Sequence, residues 1–190
     1  YVKKRETQPR WVAEQKIIET ALQCVQEKSV VLDVPIGTGR WFDVCRKMGH
    51  SLIGVDVSDE MLAESQKQVK PDDEVLLIKG PAWATGLKDK SVDVSVMCRL
   101  TRWLSPDERT AALMELQRVT KSLIIFTARV NNHPYQYSYE DIDKAIQEDE
   151  WAAAWDYGAN EEDYRVMAIA SRSSGWFRDE KQIGLPLEAE

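Results

Sequence analysis

Cysteine and histidine are scarce in this chain, and no hydrophobic run is long. The three cysteines, Cys24, Cys45 and Cys98, are scattered and odd in number, with no Cys-x-x-Cys pair. That spacing argues for reduced thiols and against a zinc site, so no metal is expected. Only two histidines are present, His50 and His133, which limits the candidates for proton transfer near neutral pH. No apolar stretch approaches the ~20 residues of a membrane span, and no signal-peptide pattern opens the chain, so the cytoplasm is the expected compartment. Internal repeats and low-complexity tracts are also missing. A formal net charge of -7 disfavours broad nucleic-acid binding, which draws on phosphate neutralisation. The one clearly basic segment is the beginning, with Lys3, Lys4, Arg5 and Arg10, and it reads as a solvated terminus.

What is present suits one domain spanning residues 1–190: a leading helix over 1–29, a core over 30–171 and an irregular tail over 172–190. The organising stretch is Val30-Val31-Leu32-Asp33-Val34-Pro35-Ile36-Gly37-Thr38-Gly39-Arg40. A β-branched run breaking into a Gly-x-Gly turn reads as a buried strand that delivers its C-terminal end to a ligand. Glycines there permit unusual backbone dihedrals and let a bound molecule approach the main chain. A second run, Ser51-Leu52-Ile53-Gly54-Val55-Asp56, ends in a carboxylate. The interval of ~20 residues from Asp33 to Asp56 is one strand-helix-strand unit, with an acid placed to accept from a ribose diol.

Together with Val57-Ser58-Asp59-Glu60-Met61-Leu62, these two stretches resemble the class I S-adenosylmethionine (SAM)-dependent methyltransferase family. A nicotinamide site fits less well, because its fingerprint wants a third small residue where Phe42 stands.

The rest of the chain continues the alternation. Apolar spacing predicts a helix over residues 11–27, another after the first strand that stops at Gly49, and a third from Ser58 to about Val69. Strands are expected at 74–79, 92–98 and 122–127, with a helix opening near Pro106. Ser138 is placed to cap a helix running to about Gln147. Trp151–Tyr157 and Tyr164–Ala170 then read as a hairpin, with an alanine-rich helix around Ala153 as the alternative. The expected fold is α/β: the Rossmann-like class I methyltransferase fold, a mostly parallel sheet with a C-terminal antiparallel hairpin strand and helices on both faces.

The resemblance implies SAM as cofactor and S-adenosylhomocysteine as its product. It places Asp33, Pro35, Gly37 and Gly39 around the methionine moiety, with Asp33 near its ammonium and Arg5 or Arg10 as a partner for its carboxylate. Asp56 takes the ribose hydroxyls, with Val57 and Met61 beside it. Gly80, Pro81, Ala82 and Trp83 fall on the adenine loop, where Pro81 replaces the family's usual acid and offers neither a carboxylate nor an N–H. Cys98 ends the fourth strand. The following Arg99-Leu100-Thr101-Arg102-Trp103 loop would face the transferring methyl, with Arg102 and Trp103 where some similar small methyltransferases carry two histidines.

Candidate catalytic residues are therefore Arg99, Arg102, Trp103 and His133. Arg99 and Arg102 have two readings: a bidentate hold on an acidic substrate group, or surface ion pairs with Asp107 or Glu108. His133 reads as a base reaching the cleft or as a plain loop residue, and His50 as structural. Of the seven tryptophans, Trp41, Trp151 and Trp155 suit the core, while Trp83 and Trp103 sit on cleft loops, where they would wall a pocket or pack on each other. The expected partner is a small-molecule or polar acceptor, with no membrane, little call for nucleic acid, and a protein partner only through the tail. The alternative is a degenerate family member that binds or interacts without catalysis.

Overall fold

Four short runs of β-branched and aliphatic residues set the centre of the molecule. A computed structural model describes residues 8–129, 142, 144–147, 150–161 and 164–173. In chain order these form α1 (Pro9–Cys24), β1 (Val30–Asp33), α2 (Phe42–Met48), β2 (Ser51–Asp56), α3 (Asp59–Gln66), β3 (Val75–Lys79), β4 (Val92–Met97), a single 3-10 turn (Thr101–Trp103), α4 (Pro106–Val119), β5 (Thr120–Arg129), β6 (Trp151–Glu161) and β7 (Tyr164–Ser171). The inner strand Val92–Met97 is buried at every position but Asp93, so it is covered on both faces although Asp93 and Ser95 interrupt its apolar run.

The seven strands lie in the order β3-β2-β1-β4-β5-β7-β6. β1 to β5 are parallel where they pair, and β7 runs antiparallel to both β5 and β6. Strand order reverses between β1 and β4, so the connections leaving their C-terminal ends diverge and open a crevice there. Packing on one face joins Ile18 and Leu22 of α1 and Phe42 and Cys45 of α2 to Val31, Val94 and Ile125. The other face sets Leu113 and Leu116 of α4 against Leu32, Ile124 and Phe126. This is the expected Rossmann-like layout, closing in the antiparallel hairpin. The alanine-rich segment is strand, because Ala152 and Ala153 pair with Ala170 and Ile169.

Local signals account for most boundaries. The Ser58 hydroxyl accepts from Met61 N at 3.3 Å to cap α3. Ser105 and Glu108 form a reciprocal capping box on α4, with Pro106 in the first turn. Gly49 ends α2 at φ 67°. α3 stops at Gln66, short of the expected Val69, because Gln68 N and Val69 N turn back onto Ser65 O and Gln66 O. β5 begins directly at the end of α4, two residues before the expected start, where the Thr120 and Ser95 hydroxyls bond at 2.5 Å. His50 is structural, as expected: its Nδ1 accepts from Ser29 N at 3.2 Å, and its Nε2 lies 3.2 Å from Leu22 O. Most of the helix expected at 138–147, the tail beyond Ser173, His133 and Arg5 lie outside the described residues. No helix among the described residues is long and apolar enough to cross a membrane.

One polar cluster crosses the apolar face under α1. The fully buried Glu14 carboxylate accepts from Arg40 Nη1, from Arg99 Nε at 2.9 Å and from the Tyr164 hydroxyl. The Trp11 ring is covered by both guanidiniums, at 3.7 Å for Arg40 and 4.3 Å for Arg99. One carboxylate thereby ties α1 to the loops after β1 and β4 and to β7.

Removing it would strand two guanidiniums with no buried counter-charge. Glu14→Ala should therefore lower unfolding free energy by about 3–5 kcal/mol. A urea midpoint unchanged from wild type would contradict this role. A second ion pair sets an acid limit. Arg46 donates to both oxygens of Asp73 at 2.8 Å, and Lys70 N adds a third bond. The Arg46 hydrogen bonds foremost pull the Asp73 pKa down to about 2. A carboxylate depressed in the folded state stabilises above its unfolded pKa and loses that contribution as pH falls through the folded value. Stability should thus fall by about 1–2 kcal/mol between roughly pH 4 and pH 2 on this account. In Asp73→Asn that step should be missing from calorimetric unfolding scans.

Candidate functional site

The turn after β1 is shaped by what packs beneath it. Val34 N donates to Val96 O at 2.9 Å and Ile36 N to Val55 O at 3.0 Å, folding the turn across the ends of β4 and β2. Gly54 on β2 makes room for this, since a Cβ there would run into the Ile36 side chain. Pro35 follows Val34 through a cis peptide. Gly37 and Gly39 both take positive φ, 54° and 81°, but for different ends. A Cβ on Gly39 would strike the Phe42 ring, so that glycine serves the packing of α2. A Cβ on Gly37 would meet nothing within 4 Å. Gly37 therefore presents open main chain beside the strand tips.

Two buried carboxylates stand next to this turn. Asp56, at the end of β2, accepts from Gly37 N at 3.0 Å through Oδ2 and from Ser58 N at 2.9 Å through Oδ1. Each oxygen keeps a lone pair for another donor. Asp33, at the end of β1, is 1% exposed, and its Oδ2 has no hydrogen-bond partner among the described residues. Burial raises its pKa well above the ordinary carboxylate value; the Arg40 charge opposes this and the Asp56 charge adds to it. An orphaned buried acceptor wants a donor, and a cationic one would complete it best.

Around this centre, Val57 is 62% exposed just past Asp56, and Met61 is half-buried in the first turn of α3. After β3, Gly80 N donates to Asp56 O at 3.0 Å and Ala84 N to Pro81 O at 3.1 Å. The resulting turn buries Ala82 and leaves Trp83 partly open. Cys98, behind β4, is buried. Burial foremost raises its thiol pKa, and the charges of Glu14, Arg40, Asp33 and Arg99 all reach it. That single thiol marks how close the carboxylate centre lies to the loop after β4.

The loop itself is rigid at its start and open at its end. Arg99 adopts φ 59°; its N–H donates to Thr127 Oγ1 at 2.7 Å and its Nε to Glu14. Arg102 and Trp103 stand outward, the guanidinium 4.5 Å from the ring centroid, and Trp103 is 71% exposed. Neither arginine pairs with Asp107 or Glu108; Glu108 is engaged by Ser105. A cavity of 560 Å³ opens here, lined among others by Arg10, Arg99, Arg102, Arg129, Trp103 and Tyr164. Arg10 lies over the Tyr164 ring at 5.0 Å.

Asp33, Gly37 and Asp56 are thus gathered at one point, and Arg99, Arg102 and Trp103 at a second beside it. Glu14, Tyr164 and Arg129 were not singled out by sequence reasoning. Glu14 sits one turn ahead of Ile17 and Ile18 on the face that α1 buries, and an acid on an apolar helical face is the signal that was available. Trp41 and Trp151 are buried core residues, as expected.

Comparison with known proteins agrees with this geometry. Residues 31–122 match the family model described as a methyltransferase domain. Over 100 residues, 52% of the chain, the sequence is 34% identical to malonyl-[acyl-carrier protein] O-methyltransferase of Yersinia pestis; the match covers 36% of that protein, so the chain spans about a third of its length. Magnesium protoporphyrin IX methyltransferase from Synechocystis PCC 6803 with bound SAM superposes at a TM-score of 0.68 and 17% identity, over 86% of this chain and 81% of that one. A SAM-dependent methyltransferase from Aquifex aeolicus gives 0.63 at 22% identity, over 84% and 88%. At these identities the structural likeness speaks to the fold, while the sequence matches speak to lineage. With the strand-tip carboxylates and the glycine turn in their places, residues 31–122 match a methyltransferase domain, carried on the Rossmann-like fold that the chain shares with SAM-dependent methyltransferases.

Proposed function

We propose that this chain binds SAM across the tips of β1 to β3 and transfers its methyl group to a small-molecule or polar acceptor held against the loop after β4. The observation that carries this is the buried Asp33 carboxylate, whose Oδ2 has no hydrogen-bond partner among the described residues, beside the open main chain of Gly37 and the Asp56 acceptor. An ammonium is the donor Asp33 lacks, and a ribose diol suits the lone pairs left on Asp56. The residues present thus fit the cofactor, which would supply an electrophilic methyl on a sulfonium. The chain's own residues would hold its ends and orient an acceptor in line, the kind of positioning that contributes most when the nucleophile needs little activation. The free thiols Cys24, Cys45 and Cys98 suit a reducing compartment such as the cytoplasm.

A second reading, a member of the fold that binds without catalysing, is favoured by Pro81. It offers the adenine loop neither carboxylate nor N–H, which should cost about 1 kcal/mol of cofactor affinity. Radiolabelled cofactor incubated with cell extract separates the two: transfer of label to any acceptor removes the second.

Two outcomes are expected for the cofactor site. Asp56→Ala should weaken S-adenosylhomocysteine binding at least tenfold in a calorimetric titration, since a charge-assisted hydrogen bond is worth about 1.5–3 kcal/mol. Undiminished affinity would remove Asp56 from the site. Binding should also release a proton. Burial raises the Asp33 pKa well above the ordinary carboxylate value, and an ammonium partner lowers it again by favouring the ionised form. Affinity should therefore rise with pH, and the binding heat should differ between buffers of different ionisation enthalpy. Asp33→Asn should abolish that difference.

A further inference from the structure

Two buried polar atoms at neighbouring strand ends have no hydrogen-bond partner among the described residues, and they are of opposite kind. Asp33 Oδ2 is an acceptor and Arg99 Nη2 a donor. Asp33 ends β1, where it pairs with Val96 of β4, and Arg99 follows two residues after β4 ends at Met97. Between them the buried Cys98 thiol feels the charge of each.

Arg99 has little freedom to turn. Its backbone is held at φ 59° with the N–H on Thr127 Oγ1 at 2.7 Å, its Nε donates to Glu14 at 2.9 Å, and its guanidinium covers the Trp11 ring. The same Glu14 accepts from Arg40, whose Nε and Nη2 go to Gln15 Oε1 and Trp11 O. Arg40 carries the positive charge that opposes the effect of burial at Asp33. One carboxylate of α1 thus fixes both the arginine that bears the orphaned donor and the arginine whose charge acts on the orphaned acceptor.

Resting on the SAM reading, we propose that Asp33 Oδ2 and Arg99 Nη2 receive the two charges of the cofactor's amino-acid end, ammonium and carboxylate, and that Glu14 is the positioning residue that aims Arg99. The opposite polarity of the two atoms argues for this. A ligand of one sign answers one of them and leaves the other buried without a partner, which is unfavourable. An α-amino acid carries both signs on one carbon and answers both. Arg10, the other candidate for the carboxylate, lies over the Tyr164 ring, whereas the buried donor left over at this face belongs to Arg99. Glu14, with no exposed surface, acts through Arg99 and does not meet the ligand itself. Its contribution is direction, because a donor whose rotamer is already fixed holds a carboxylate at one angle. With the ammonium on Asp33, the chain that ends in the sulfonium is held at two points, which limits how far its methyl can swing out of line with an acceptor.

The test titrates the whole chain calorimetrically with S-adenosylhomocysteine, with its decarboxylated form, which keeps the amine, and with methylthioadenosine, which lacks the amino-acid end altogether. The wild-type protein should bind S-adenosylhomocysteine at least tenfold tighter than the decarboxylated form, the loss expected for a charge-assisted hydrogen bond. Arg99→Lys keeps a counter-charge for Glu14 but loses the second arm of the guanidinium. It should erase most of that preference and leave methylthioadenosine affinity unchanged, which also shows that the site is folded. Glu14→Gln should do the same. A wild-type protein without the preference, or a preference that survives Arg99→Lys, overturns the assignment of Arg99. A preference that survives Glu14→Gln overturns the positioning role. Loss of all three ligands together in either variant marks a merely structural residue and overturns the inference for it. A wild-type protein that binds none of the three strikes the parent reading instead.

Discussion

A single buried carboxylate, Glu14, governs how the two halves of the active face meet. Taking a carboxylate out of water is tolerable only where ionic partners and hydrogen bonds replace its hydration. Here the partners come from three separate places: the turn after β1, the loop after β4 and the start of β7. Those segments flank the point where strand order reverses. Satisfying Glu14 therefore fixes the leading helix over the crevice and, in the same act, fixes Arg40 beside Asp33 and Arg99 beside the cavity. The Trp11 ring under both guanidiniums keeps water from competing for them.

Seen from the charges, the face divides into two compartments of opposite character a few residues apart. Asp33 and Asp56 place two carboxyl groups at the strand tips, acceptors suited to an ammonium and a diol, while the arginines beyond Cys98 give the cavity positive character. Cys98 and Arg99, adjacent in sequence, stand on the boundary between the two. A sulfonium bound on one side and an anionic acceptor on the other would attract across that boundary, in a setting where water screens little. The overall acidity of the chain says nothing of this, because net charge is a sum and a site is a distribution.

Much of this was legible in the sequence. Alternating apolar runs and turn residues located all seven strands to within a few residues, and Ser58, Gly49 and Pro106 marked helix ends through backbone chemistry that needs no tertiary context. The interval from Asp33 to Asp56 placed Asp56 and the Gly37 turn at neighbouring strand tips, while the hydrogen bond from Gly37 N to Asp56 appears only in the structure. Less accessible was anything that depends on which helix face turns inward. Glu14 looked like one charge among many on α1, and Tyr164 like an ordinary strand residue, because each acquires meaning from partners 26 to 150 positions away. Arg99 shows the same limit: nearby Asp107 and Glu108 were the obvious ion-pair candidates, yet the capping box of α4 had already engaged Glu108.

The Glu14 cluster also bears on what Arg99 can contribute. An arginine whose charge is met by a buried carboxylate adds little net attraction for an anion. It does offer a donor in a fixed direction, with its rotamer entropy already lost in the folded state. Arg102 is the converse: its charge is exposed and, among the described residues, its guanidinium rests on the Trp103 ring, so it attracts from a distance and loses conformational freedom on contact. An acceptor site built from both types has separable tasks. On the proposed function, the exposed arginine would act on capture and its salt dependence, and the clamped one on the angle at which the acceptor meets the methyl group. Orientation can supply a large part of the barrier reduction in such a transfer, so on the proposed function the arginine whose direction is fixed by Glu14, Arg99, is the one whose loss is expected to weigh on rate.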